Sequence, residues 1–549
     1  MRQLEDLRFG ALNSAKGAWQ QSSTRWGGYH DLVEGRMIKP LDRDWSGMAA
    51  DMATPQFVNL GDNYRFASQE SVLIETLIDG VVTELQQQQK NLAEVLDKAA
   101  RTGFRVSEKG EVNFADEADI PTGDPDAGVP EQEQARRATE AAIATILAET
   151  VKIDVRYRDA FAKLSARRDL NVDSLESWED SGAVSKAAGK AIGMDDIPTK
   201  GTDPSEVRTW WNKLSPEERA EYLALRPDVI GNLDGIPAKA RDSANRAYLD
   251  QLIAIDQRYA GTKPLPETEA QAYEGYLAIR SRLDKDSGKE PEPLLLGLGR
   301  EGQGRAILSY GNPDTADNVS AYVPGTNCRL SNIGGGDGTR AKDIWKASHK
   351  ADPGRSTASI VWLGYDAPQA EPSLVPDFSV AGEDRGKKGG EDFNKFLNGI
   401  RASHEGGRPH ITAIGHSYGS FTVGQAAQSD ESAADDVVLV GSPGTGAQKA
   451  DQLGVGADHV WIGSAENDPI THLPSKYEPV GVVLDPHELW FGQDPASEGF
   501  GGQRFRVAPG TIGDSHSNYF DKEKGGDSLE NIGKIVSGHG ADVTREGRR

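Results

Sequence analysis

The chain has 549 residues, more than a single hydrophobic core organises, so two or three domains of roughly 150 residues are expected. Its 61 Lys and Arg against 85 Asp and Glu leave a formal charge of −24, which disfavours a nucleic-acid or anionic-membrane surface. One cysteine, Cys328, excludes an internal disulfide and a thiolate metal cluster. No apolar run approaches the roughly 18 residues that span a bilayer, and no transmembrane segment is expected. The start, MRQLEDLRFGALNSAKGAWQQ, lacks the basic head and unbroken apolar stretch of a Sec signal, so a cytoplasmic location is expected.

Leu4, Leu7, Leu12, Ala15 and Trp19 recur at helical steps over residues 2 to 22. A Gly, Pro and Trp-rich turn is expected next, with Trp26, Gly27 and Gly28 in it, before a second helix resumes near Asp44. Leu77, Val81, Leu85, Leu92, Leu96 and Ala99 share one face of that helix, which should fade between Arg101 and Phe104. The stripe is narrow, so residues 1 to 104 are expected to form a hairpin of two helices packed on each other or on a partner helix. Residues 105 to 202 open with a Gly, Pro and Asp-rich linker holding a short hairpin. They continue as a helix with Ile143, Leu147, Val151, Tyr157 and Phe161 on its apolar face, then turn polar. Asp203-Pro204-Ser205-Glu206 and Ser215-Pro216-Glu217-Glu218 each carry a cap, a proline in the first turn and a closing glutamate. Further helices at 237 to 258 and 267 to 284 complete an all-α first half, with 203 to 290 leading into the last domain, 291 to 549.

From about residue 292 the pattern changes to short apolar runs between Gly-rich turns: LLLGLG, RAILSYG, VSAYVPG, SIVWLGY, HITAIGHS, VVLVGSPG, HVWIGSA and RFRVAPG. Helices are predicted between several of them, at 340 to 350, 388 to 403 and 418 to 428. Alternation of this kind gives an α/β domain with a mostly parallel sheet flanked by helices.

The stretch HITAIGHSYGSFTVGQAAQ reads as strand, Gly415-His416-Ser417-Tyr418-Gly419, then helix. A serine nucleophile must stand proud of the sheet on a tight strand-to-helix turn, and flanking glycines remove the side chains that would clash there. Ser417 is the candidate nucleophile, with Gly415, His416 and Gly419 forming its elbow; His416 is expected to point away into the sheet. A neutral hydroxyl needs an imidazole base and an orienting carboxylate, which follow the nucleophile in the order acid, then histidine. Asp468 leaves the strand two after the nucleophile's, and His516 follows the last strand, so these two are the candidates. His472 and His487 remain alternative bases, and Glu466 and Asp485 alternative acids. Oxyanion donors are expected at the Tyr418 amide and, after the third strand, at Thr326 or Gly325. The clusters at 334 to 338 and 386 to 390 complete no phosphate-loop motif and read as mobile loops; 366 to 386 and 485 to 502 read as lid segments bearing Trp490, Phe491 and Phe500. No cofactor and no metal site is called for.

The stretch WWNKLSPEERAEYLALRPDVIGNLDGIPAKARDSANRAYL at 210 to 249, with YVPGTN, WLGYDAP, GHSYGS and GSPG, resembles an actinobacterial α/β-hydrolase family long filed as a domain of unknown function. The resemblance covers about residues 205 to 520. It implies Ser417, Asp468 and His516 as a triad and no particular substrate. Trp45-Ser46-Gly47 is similar to the WXG turn of proteins handled by type VII secretion, which implies a helical partner or that export machinery for residues 1 to 104. The YxxxD/E export signal that should follow is absent from 90 to 110. The expected function is a serine hydrolase acting on a small or lipid-like acyl substrate, most simply a carboxylic ester, through an acyl-enzyme. The alternative is a partner-binding helical protein with the hydrolase domain as cargo or remnant.

Overall fold

The computed structural model describes residues 1–38, 48–115, 131–163, 197–262, 265–369, 382–429, 431–474 and 488–548. The chain divides into two compact units, one of residues 1–197 with 224–226 and one of 198–223 with 227–549.

In the first unit, helices Gly10–Val33 and Met48–Arg101 pack along each other. Leu77, Val81, Leu92 and Ala99 are buried as the stripe requires, and the second helix ends at Arg101 where it was expected to fade. Trp26, Gly27 and Gly28 are not in a turn. The first helix runs through them, and Trp26 stacks on Tyr64 of the facing helix at 5.9 Å, so this aromatic serves helix packing. Trp45, Ser46 and Gly47 lie outside the described residues. Strands β1 (Phe104–Val106) and β2 (Val112–Phe114) form the expected short hairpin. Helix Glu131–Lys163 buries Ile143, Ile146, Ile153, Tyr157 and Ala160, whereas Val151 is 62% exposed. Eight residues from Ile143 at about 100° each leave Val151 roughly 80° around the helix, off the buried face.

The second unit begins with the two predicted caps. The Asp203 carboxylate accepts from the amides of Ser205 and Glu206, while Ser215 and Glu218 close a reciprocal box. An eight-stranded sheet follows, in the order β12-β9-β8-β7-β5-β6-β4-β3. Its members are β3 (Pro293–Gly299), β4 (Arg305–Tyr310), β5 (Asn318–Val323), β6 (Thr357–Leu363), β7 (His410–His416), β8 (Asp436–Val440), β9 (Val460–Gly463) and β12 (Gln503–Arg504). β4 alone runs against the rest of the sheet, antiparallel to both β3 and β6. Each predicted apolar run supplies one strand, although of RFRVAPG only Arg504 pairs in β12, beside the preceding Gln503. Every residue of β5 and β8 is buried, and adjacent residues point to opposite faces, so the sheet's centre is covered on both sides. The parallel strands β5, β7, β8 and β9 consequently open their C-terminal loops at one edge.

Neither glycine cluster is a loop. Residues 334 to 338 join two helices, Leu330–Gly334 and Gly336–Ala351, and 386 to 390 lie inside helix Asp384–Ser403. A Cβ on Gly334 would meet the Ala278 carbonyl carbon at 2.3 Å, and one on Gly386 the Phe421 ring at 2.4 Å. These glycines let helices approach closely. Among the described residues no helix is long and apolar enough to cross a membrane.

At the opposite strand ends, His410 Nε2 lies 2.7 Å from Asp436 Oδ2 and its Nδ1 3.1 Å from the Val536 carbonyl, while His459 and Trp461 also face Asp436. Burial pushes the His410 imidazole down, but the hydrogen bond and attraction of Asp436, with the Val536 carbonyl and Asp435 adding to them, outweigh it and raise it above its ordinary 6.5. A raised folded-state pKa gives stability that is full below the unfolded value and is lost as pH rises through the folded one. The melting-temperature margin of wild type over His410→Gln should therefore be widest below pH 6.5 and shrink above neutrality; a margin flat in pH would contradict this assignment.

Candidate active site

β7 ends at His416 and a helix begins at Tyr418, so Ser417 is the single residue of the turn. Its φ is +56° and its ψ −129°, a conformation that side chains rarely adopt; among the described non-glycine residues only Asn327 also has positive φ. The neighbouring glycines make the geometry possible. A Cβ on Gly415 would sit 2.5 Å from the Ser420 Cα, and one on Gly419 2.2 Å from the Val323 carbonyl oxygen. The Ser417 amide donates to the Val440 carbonyl at 3.1 Å, tying the turn to the end of β8.

The loop after β5 closes on this turn. A Cβ on Gly325 would lie 2.6 Å from the Ser417 Cβ and 3.0 Å from the Tyr418 nitrogen. The Asn327 amide is committed to the Pro368 carbonyl at 2.8 Å, whereas the amides of Thr326 and Tyr418 donate to no acceptor among the described residues. Both residues line the same cavity as Ser417.

Asp468 follows β9 and is fully buried. It accepts from His516 Nδ1 at 2.9 Å, the Tyr519 hydroxyl at 2.6 Å and the Ile470 amide at 2.9 Å. Burial pushes the carboxyl up, but those donors and the imidazole's charge outweigh it and hold Asp468 below its usual range. Gly441, at φ +57°, leaves the space these groups occupy: a Cβ there would be 2.9 Å from Asp468 Oδ2 and 3.1 Å from His516 Cε1. His516 Nε2 and Ser417 Oγ are not hydrogen-bonded to each other, yet both side chains line one cavity of about 670 Å³. Contacts between such groups commonly tighten only when substrate binds.

The alternatives fall elsewhere. His472 is exposed and faces the Glu466 carbonyl at 3.2 Å, and His459 faces Asp436. His487 and Asp485 lie outside the described residues. Ile470, Leu473, Pro443, Trp490 and Phe491 give the cavity an apolar wall, with Trp490 and Phe491 at the turn between β10 (Glu488–Leu489) and β11 (Gly492–Gln493). Asp337 and Arg340 add polar groups to the lining; Arg340 Nη1 and the Tyr322 hydroxyl behind it both donate to Asp337 Oδ1, at 2.8 and 2.9 Å. Cys328, which also lines the cavity, is buried beside Asp337; desolvation and that carboxylate push its thiol well up, away from nucleophilic thiolate.

Sequence reasoning missed two contributors. Tyr519 could have been found, because its place three residues after His516 in a helical turn puts both side chains on one side. His416 does not point away into the sheet: its Nε2 lies 2.7 Å from the His516 carbonyl oxygen. The turn that carries His516 folds over the end of β7, and nothing in the strand's own sequence shows that contact.

The architecture is the α/β-hydrolase fold, with a helical region preceding it. Residues 300–479 match the family model described as alpha/beta hydrolase. The chain is 32% identical over 391 residues to the uncharacterized protein Rv2079 of Mycobacterium tuberculosis, a match covering 64% of this chain and 58% of that one. It is 33% identical over 183 residues to the uncharacterized protein Mb0988c of Mycobacterium bovis, covering 32% and 66% respectively. The chain thus spans less than two thirds of the length of these curated relatives. A solved structure, esterase Est22, aligns over 40% of this chain and 80% of its own at 13% identity, with a TM-score of 0.20, too low to bear on function.

The strain at position 417 can be measured. Glycine tolerates positive φ and alanine does not, so Ser417→Gly should exceed Ser417→Ala in unfolding free energy by about 1 kcal/mol in urea titrations. Equal stabilities would mean that the turn is relaxed.

Proposed function

We propose that the protein is a serine hydrolase that cleaves carboxylic esters at the cavity lined by Ser417 and His516. The observation that carries this reading is the pairing of a fully buried carboxylate with His516 Nδ1, in a cavity that also holds a serine on a strained strand-to-helix turn. An imidazole bound to a carboxylate through Nδ1 keeps that proton on Nδ1 and leaves Nε2 basic. In this reading Ser417 Oγ attacks the acyl carbon while His516 Nε2 takes its proton. The Tyr418 and Thr326 amides hold the oxyanion. The intermediate collapses, the C–O bond to the alcohol breaks, and the alcohol leaves with the proton from His516. Water then attacks the acyl-enzyme by the same route and releases the carboxylic acid.

The apolar wall of Ile470, Leu473, Trp490 and Phe491 suits an acyl chain, and the volume falls within the usual range for small-molecule sites. The alpha/beta hydrolase family match supports the same reading.

A fluorophosphonate probe should label wild type and not Ser417→Ala, and hydrolysis of a p-nitrophenyl ester panel should fall by about 10³-fold or more in that variant with its melt preserved. Labelling that persists in Ser417→Ala would displace Ser417 as nucleophile. Gly325→Ala places its methyl against Ser417 and the Tyr418 nitrogen, so ester turnover should drop by about 10²-fold. Unchanged turnover would remove this loop from the oxyanion site.

A further inference from the structure

The helical turn Ser515–Phe520 carries His516, and it must be held in register with two different parts of the sheet edge. Its ties to the Asp468 loop are plain: Ser515 Oγ donates to the Asn467 carbonyl at 2.9 Å, and the Tyr519 hydroxyl donates to Asp468 and accepts from the Ala465 amide at 3.0 Å. None of these fixes the turn relative to Ser417, which stands on another strand. A hydrogen bond does join the end of β7 to this turn: His416 Nε2 to the His516 carbonyl, at 2.7 Å. The same ring packs on the His516 ring, tilted by 32°, at 4.7 Å between centroids and meets Tyr519 and Phe520 edge to face at 6.1 and 5.8 Å.

We propose that His416 is a positioning residue, a neutral imidazole clamp that sets His516 against Ser417 by holding the base's own carbonyl from the residue adjoining the nucleophile. This rests on the reading of Ser417 and His516 given above. A carbonyl only accepts, so His416 Nε2 carries the proton. His416 is 6% exposed. Desolvation, followed by the charges of His516 and Arg340, holds it well below its ordinary value, so the ring stays neutral while His516 gains and loses a proton. The clamp is therefore indifferent to the protonation step it serves. Misplacing a base by about 1 Å costs on the order of 10²-fold in rate, which is the leverage such a clamp would exert.

Glutamine and asparagine separate this role from mere filling of space, because they share chemistry and differ in reach. The amide nitrogen of Gln occupies the place of imidazole Nε2, and that of Asn falls short of the carbonyl. With a p-nitrophenyl ester, His416→Gln should keep kcat within about 5-fold of wild type. His416→Asn should lose about 10- to 100-fold in kcat with KM changed less than about 3-fold. Should His416→Asn fail to fold, His416→Leu takes its place. Equal kcat in the Gln and Asn variants, or a loss in both that tracks a lowered melting temperature, overturns the clamp. His516→Ala serves as the reference: if it turns over ester as wild type does, the base assignment has failed instead.

Discussion

Everything at the sheet edge follows from one constraint, the positive φ of Ser417. That conformation costs roughly 1 to 3 kcal/mol and survives only where the surroundings over-determine it. Here main chain closes on the residue from three directions. Gly415 admits the Ser420 backbone, Gly419 admits the Val323 carbonyl, and Gly325 admits the serine itself. Each contact is backbone against backbone or against Cβ, where a neighbour has little freedom to yield. The turn is a rigid point from which other distances are set.

The opposite side of the site is built from a buried charge. Asp468 is fully enclosed, and an enclosed carboxylate is stable only when its lone pairs are taken up. Three donors take them up: an imidazole, a phenol and a backbone amide. Two of these come from the turn Ser515–Phe520, so satisfying the carboxylate and presenting His516 are one structural event. Burial and strain thus divide the work, one holding the acid with the histidine and the other holding the serine.

Much of this was legible in the residues. The eight apolar runs became eight paired strands, because continuous apolar stretches between glycine turns leave a buried parallel sheet as the compatible arrangement. Once strand order was counted, Asp468 and His516 fell at the edge where Ser417 emerges, and the structure brings that acid and histidine together. Two readings fail for one reason: the glycine clusters at 334 to 338 and 386 to 390 read as loops because sequence does not distinguish glycine used for backbone freedom from glycine used for close approach. Trp26-Gly27-Gly28 fails for another: a Cβ on Gly28 would meet nothing within 4 Å, and the pair simply continues a helix whose packing the tryptophan serves. The direction of His416 was lost differently. A strand's alternation assigns a residue to a face of the sheet but not the distant turn that folds onto it, here the one carrying His516.

The misread cluster at 386 to 390 also explains how the two nominated oxyanion amides are held. The Tyr418 phenol donates to the Gly382 carbonyl at 2.6 Å and accepts from the Gly386 amide at 3.1 Å, which pins the helix after Ser417 to the start of helix Asp384–Ser403. The Tyr365 hydroxyl donates to the Pro324 carbonyl at 2.8 Å and so holds the loop that carries Thr326. The two rings stack nearly parallel, 6.4 Å apart. Gly386 and Gly389 leave room for this arrangement, since a Cβ at either would run into Phe421 or Tyr365. A stacked pair of phenols bonded to the main chain thus fixes the helix after Ser417 and the loop after β5 against one another, and the glycines in helix Asp384–Ser403 allow the pair to form.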